Sequence, residues 1–282
     1  MHSLFNLTLN LSRAGSVACV QSLPVDPTRP TLLLLSPVGT QCFYMKNAAL
    51  FLISRFNLII LESDAVLSYA TATAPTPSEG IADFYRQLCA ALPEGMQVDA
   101  LVGYCSSAPV ALLAGAQGAC RALLLLNGAY FLPGDAIAKS QYERDVERMM
   151  QSIPLGNWAQ VYEAVRLLHA NSRYAPSDYR YQQVRPLREV EAFRQYLIFL
   201  NHLKTLEITH AAQAVETPTL VWCGGNDGYT DTASSKYVAT WLAHAELVED
   251  PVGQHHDFVD GHEPLYQAMT AFLNRHAPRA AR

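Results

Sequence analysis

At 282 residues, half of them hydrophobic and 16% charged, the chain has the material for one large packed domain with an insertion or for two small domains, and its composition excludes disorder. A formal charge of -5 leaves no basic field for nucleic acid, so a small molecule or a protein is the expected partner. The six cysteines, at 19, 42, 89, 105, 120 and 223, have no close paired spacing; this argues against a disulfide framework or a C-x-x-C site and for reduced thiols in a cytoplasmic protein.

The N-terminal stretch has no basic leader and is interrupted by Arg13, and no run reaches the roughly eighteen apolar residues of a membrane span, so neither export nor membrane insertion is expected. Phe5, Leu7, Leu9 and Leu11 alternate with polar residues, and Val17, Cys19 and Val20 follow a turn at Ala14-Gly15-Ser16, which predicts a hairpin. Pro24, Pro27 and Pro30 extend the connector to Thr31–Leu35, an apolar run of the kind buried on both faces of a parallel sheet. Ser36-Pro37-Val38-Gly39-Thr40 ends that strand, and a helix over 41–54 follows. Asn57–Leu61 is a second buried strand, 62–78 reads as a loop rich in Ala, Thr and Pro, and 81–92 has helical spacing.

The stretch Val98 to Ala116, VDALVGYCSSAPVALLAGA, is a strand, a sharp turn and a small-residue helix. A nucleophile at such a turn sits in strained backbone, so the residues two before and two after it must be small. Gly103 and Ser107 satisfy this for Cys105; Ser106 has Tyr104 two places before it, and Ser107 has Pro109 two places after it. Cys105 is therefore the candidate nucleophile, against the plainer reading of a buried structural thiol.

Arg121–Asn127 is another buried strand. From 133 to 210 no buried strand is legible; helical patterns at 146–151, 158–169 and 190–203 carry many Tyr and Arg residues. This stretch holds 10 basic and 9 acidic residues, against 10 and 16 in the rest of the chain, and reads as a helical cap inserted between core segments 1–132 and 211–282. The sheet resumes at Pro218–Cys223 and runs into Gly224-Gly225-Asn226-Asp227, which puts Asp227 at a strand's carboxyl end. A helix over 232–244, a short strand over 245–248, a loop with His255, His256 and Asp257, and a final amphipathic helix over 265–273 complete the chain. Strands alternating with helices at this rhythm specify a mostly parallel α/β sheet covered on both faces.

The order nucleophile, acid, histidine, each in a loop leaving a strand, resembles the α/β-hydrolase superfamily over almost the whole chain. The resemblance implies that Cys105 is activated by a histidine whose tautomer Asp227 fixes, with a lowered thiol pKa. Spacing to Phe258 and to Glu263-Pro264 matches the family best at His256, with His255 second. The oxyanion hole would use the backbone N–H groups of Val38 (or Gly39) and Ser106; Pro37 has none to give, and the usual His-Gly of this loop is replaced by Ser36-Pro37. His255, His256, Asp257 and His262 have no separated partner that completes a metal site, so none is assigned.

Cysteine in place of serine narrows the chemistry. Its acyl-enzyme is a thioester, nearly isoenergetic with a pantetheinyl thioester, so thiol-to-thiol exchange is reversible and the acyl group stays activated. With Gly-Tyr-Cys-Ser-Ser at the elbow and this length, the chain resembles the aminoacyltransferases that shuttle aminoacyl groups between carrier-protein domains in nonribosomal peptide pathways, such as those making coronamic acid or chlorinated threonine. That resemblance implies acidic peptidyl or acyl carrier domains as donor and acceptor partners, a substrate presented on phosphopantetheine, and no bound cofactor. The less acidic, Arg-bearing cap is the expected docking face. A cysteine thioesterase or lactone hydrolase, and a catalytically silent binding protein of the same fold, are the alternatives.

Overall fold

A computed structural model describes residues 3–11, 15–93, 96–118, 120–134, 137–168, 174–175 and 178–277. Of the features expected from sequence, Ala14 of the hairpin turn, His169 at the end of one helix and the C-terminal Arg/Ala tail lie outside them.

The chain opens with the antiparallel strands β1 (Ser3–Leu11) and β2 (Gly15–Leu23), then β3 (Thr31–Ser36). A 3-10 turn over Cys42–Met45 leads into α1 (Lys46–Leu52), and β4 (Asn57–Glu62) follows. Where a loop was expected, β4 passes directly into α2 (Ser63–Thr73). Ser63, Val66, Leu67 and Ala70 are buried at helical spacing there, and Ser63 Oγ donates to the Ser36 carbonyl (2.6 Å) at the helix start. The small apolar stripe, diluted by Ser and Thr, is the reason the segment reads as loop.

Next come α3 (Pro77–Ala91), β5 (Ala100–Tyr104), α4 (Ala108–Gly115) and β6 (Ala122–Leu126). Every residue of α4 is buried, as an apolar helix between sheet and outer helices must be. Between β6 and the next strand lie α5 (Gln141–Met150), α6 (Trp158–Leu168), α7 (Tyr181–Arg188), α8 (Val190–Lys204) and α9 (Ile208–Ala214). The sheet resumes with β7 (Thr219–Gly224), α10 (Thr232–Trp241) and β8 (Ala245–Asp250), and α11 (Asp257–Asp260) and α12 (Glu263–His276) end the described chain.

The eight strands form one sheet in the order β1-β2-β4-β3-β5-β6-β7-β8, with β3 to β8 mutually parallel and β1 and β2 antiparallel at one edge. Strand alternation divides the core in two. Leu33, Leu35, Leu101, Leu123, Leu125 and Val221 face one helical layer, and Leu32, Leu34, Val102, Leu124, Leu126 and Trp222 face the other. The strand order reverses at β3, whose neighbours are β4 and β5, so the loops leaving β3 and β5 emerge side by side. The register Leu35↔Gly103, Tyr104↔Leu126 and Leu126↔Trp222 brings Val38, Cys105, Asn127 and Asp227 to the same sheet edge. No described helix is long and apolar enough to cross a membrane.

Candidate active site

Cys105 follows the last residue of β5 and adopts φ 56°, a left-handed conformation that costs a side-chain-bearing residue on the order of 1–3 kcal/mol. The strain is imposed from below. A Cβ on Gly103 would lie 2.5 Å from Ala111 Cβ and 2.8 Å from Ala108 Cα, so only glycine lets β5 and α4 approach this closely. Ser107 Oγ ties the turn by donating to the Leu35 carbonyl (2.8 Å) and accepting from Tyr104 N–H (2.8 Å). Small residues flank the cysteine because the turn has room for nothing else.

Asp227 closes a turn from Gly224, donating its N–H to the Gly224 carbonyl (3.2 Å). Its Oδ1 accepts the backbone N–H groups of Tyr229 (2.7 Å) and Thr230 (2.9 Å), and its Oδ2 accepts the Thr230 hydroxyl (2.8 Å). The same Oδ2 accepts Nδ1–H of His255 at 2.7 Å, and both side chains are almost fully buried. Burial opposes the ionised carboxylate, but the hydrogen bond and charge of His255 bring the Asp227 pKa below its usual value. Burial also opposes the His255 imidazolium, yet the Cys105 sulfur on one side and the Asp227 carboxylate on the other push the ring up to about 10. With Nδ1 turned to Asp227, the ring offers Nε2 to Cys105.

This corrects the sequence-based preference for His256. His256 Nδ1 meets the hydroxyls of Tyr104 (3.1 Å) and Tyr44 (3.2 Å), and burial and the neighbouring His255 lower its pKa to about 4. The two rings part because α11 begins at the residue after His256, while Asn127 holds the carbonyls of Gln254 and His255 beside Gly224, on the loop that carries Asp227. His262, the third histidine of the segment, pairs with Asp250 (2.7 Å).

The two loops are held together by Asn127, in left-handed backbone (φ 44°) just beyond β6. Its Nδ2 donates to the carbonyls of Gln254 (2.9 Å) and His255 (3.0 Å), while its Oδ1 accepts Gly224 N–H (3.1 Å). Tyr104 adds a donation to the same His255 carbonyl (2.9 Å). Neither residue was assigned a role from sequence. The legible signal was an asparagine closing an all-apolar strand at the sheet edge that also carries the elbow.

Val38 and Ser106, the expected oxyanion donors, both line the chamber above Cys105. Val38 N–H is engaged by the Ser106 hydroxyl (2.9 Å), and Gly39 N–H by Asp64 Oδ1 (2.8 Å). Burial pushes the Asp64 carboxyl up to about 6. Sequence also missed α7, whose Pro186 and run of polar side chains hide its periodicity. That helix is stitched to the loop after β3: Gln182 exchanges hydrogen bonds with Gln41, Gln183 donates to Tyr44 Oη, and Arg185 donates to the Gly39 carbonyl. Gly39, at φ 81°, is required there, since a Cβ would lie 2.8 Å from Pro186 Cγ. Together α5, α7 and α8 close a chamber of about 90 Å³ over Cys105 and His255.

No family model matches the chain. It is 74% identical over 280 residues to the L-allo-isoleucyltransferase of Pseudomonas savastanoi pv. glycinea, covering 99% of each protein. The chain belongs to the same family of aminoacyltransferases. Among solved structures the aminoacyltransferase is similar to an esterase from Exiguobacterium antarcticum (TM-score 0.69, 13% identity, 96% of this chain and 100% of that one). It is also similar to a membrane phospholipase A described as a bacterial virulence factor (TM-score 0.67, 19% identity, 97% and 87%). At these identities the likeness is one of fold.

Proposed function

We propose that this aminoacyltransferase moves an L-allo-isoleucyl group, the group named for its 74% identical relative, from one carrier-protein pantetheine thiol to another through a thioester on Cys105. The observation that carries this reading is the strained Cys105 placed against the His255–Asp227 pair beneath a chamber lined by the inserted helices. With the thiol proton held on His255 Nε2, the sulfur adds to the carbonyl carbon of the donor thioester. The bond from that carbon to the pantetheine sulfur breaks, and His255 returns the proton to the departing sulfur. The second carrier's thiol runs the same steps in reverse, so one thioester replaces another at each stage and little free energy is lost. Asp227 keeps the His255 proton on Nδ1 and stabilises the imidazolium.

The oxyanion is stabilised at Val38 and Ser106. Because the Ser106 hydroxyl occupies Val38 N–H in the resting site, the developing negative oxygen displaces it or receives its proton. The inserted helices keep water from the thioester, which favours transfer over hydrolysis.

The test is intact-mass analysis of the protein mixed with an L-allo-isoleucyl-S-carrier protein, with and without a second holo carrier. The expected result is an adduct on Cys105 that passes to the second carrier and is absent in Cys105→Ala. Free amino acid released at the rate of loading would establish hydrolysis instead. Cys105→Ser is expected to load slowly and to trap an oxoester; unimpaired transfer by that variant would refute the thioester-exchange argument.

A further inference from the structure

The chamber has an uneven charge. Of the described residues that line it, one, Glu143, bears a carboxylate, and none is lysine or arginine. His256 on the same wall is held neutral, with Nδ1 turned to Tyr104 and Tyr44. Nδ1 of His256 is within hydrogen-bond distance of both hydroxyls, Tyr104 (3.1 Å) and Tyr44 (3.2 Å). His256 Nε2 is buried and has no hydrogen-bond partner. His255 is balanced by Asp227 behind it. Five tyrosines, at 44, 104, 142, 196 and 229, complete a lining whose ring faces favour cations.

Glu143 is also fixed in place. Its Oε2 accepts N–H groups from Ser140 (2.7 Å) and Asp231 (3.0 Å), which ties the start of α5 to the loop that carries Asp227. Both bonds fall on one oxygen, so Oε1 is the atom through which a further donor is accepted. Burial pushes the Glu143 carboxyl up, a cost that an arriving cation relieves.

An amino acid held as a thioester has lost its carboxylate, and its α-ammonium is its one charge. We infer that Glu143 reads this ammonium and that the chamber thereby distinguishes aminoacyl thioesters from plain acyl thioesters of the same shape. The inference rests on the transfer reading above and assigns to it the residue that recognises the amine.

The experiment measures Cys105 loading by intact mass from two small thioesters of N-acetylcysteamine, L-allo-isoleucyl and its des-amino counterpart 3-methylpentanoyl. Glu143→Gln keeps an oxygen for the Ser140 and Asp231 N–H groups and removes the charge. It is expected to slow aminoacyl loading by about 10- to 100-fold while des-amino loading stays within about twofold. Ser140→Ala breaks the reciprocal cap of α5 (Glu143 N–H to Ser140 Oγ, 3.0 Å) without touching the charge; it is expected to lower the melting temperature and leave the ratio of the two rates unchanged. Equal slowing of both thioesters by Glu143→Gln, or no slowing of either, overturns the assignment while leaving the transfer reading intact. Failure of the unaltered protein to load Cys105 from either thioester or from a carrier overturns both.

Discussion

Two adjacent histidines hold opposite protonation states. His255, between sulfur and carboxylate, keeps a proton up to about 10; His256, buried beside it, refuses one down to about 4. His255→Gln is expected to lower acyl transfer by about 10²–10⁴-fold and His256→Gln by less than about tenfold, measured as loading rate from a carrier protein. Comparable losses in the two variants would return the base assignment to His256. Stability separates them as well. An unfolded histidine titrates near about 6.5, so as pH falls from there towards 4 the unfolded chain binds a proton at position 256 that the folded chain does not, and the fold loses up to about 3 kcal/mol. The contribution of His255, whose folded pKa is raised, is complete below about 6.5 and is lost only as pH rises through about 10. Asp64, raised to about 6, gives the opposite slope in the acid window, so the informative quantity is the difference between His256→Gln and the unaltered protein. Denaturant melts are expected to show that difference shifting by about 3 kcal/mol in favour of the variant between about pH 7 and about pH 4. A difference independent of pH would show that His256 is not held neutral in the fold.

At the level of elements, what was legible in the sequence is what one chemical pattern determines. The apolar runs at 31–35, 57–61 and 121–127 could only be strands buried on both faces, and Gly103, Cys105 and Ser107 satisfied a steric rule that the neighbouring serines fail. The choice between His255 and His256 was not legible. It depends on where α11 begins and on the Asn127 bridge, both set by contacts between residues far apart in the chain. Helix α7 escaped for a related reason: its place is fixed by hydrogen bonds to Gln41, Tyr44 and Gly39 rather than by its own periodicity. Helix α2 is different, since its buried stripe of Val66, Leu67, Tyr69 and Ala70 was present but interleaved with small Ser, Thr and Ala residues. That stripe permits a close crossing with α3, where a Cβ at Gly80 would lie 2.4 Å from Ala70 Cα. Gly80→Ala is therefore expected to cost about 1–3 kcal/mol and to lower the melting temperature by several degrees, with kcat/KM of the folded fraction within about twofold. An unchanged melting temperature would mean that the two helices separate freely.

For the molecule as a whole, the parallel sheet carries Cys105, Asp227 and His255 at one edge, and the inserted helices complete the chamber above them. Carrier proteins of the expected acidic kind would approach over those helices. Arg144 and Arg148 stand on α5, next to the chamber-lining Glu143 and Val146, and Arg148 is 72% exposed in its pairing with Asp145. Arg144→Glu and Arg148→Glu are expected to slow loading from a carrier protein by about 3- to 10-fold at low salt and to leave loading from a small thioester unchanged. Equal effects on both donors would place the docking face elsewhere.

The Asn127 bridge bears on the proposed two-step transfer. Because one side chain bonds to the Gln254 and His255 carbonyls and to Gly224 N–H, the loops that carry His255 and Asp227 are tied to each other and to the end of β6. Under the proposed mechanism, loading and unloading would use one fixed proton donor and acceptor, and the parts left to adjust between two different carrier partners would be the helices above it. On the proposed mechanism such a site would be indifferent to direction: whichever carrier arrived with a thioester would meet the same pair, and the flow of aminoacyl groups would follow the relative concentrations of loaded and empty carriers.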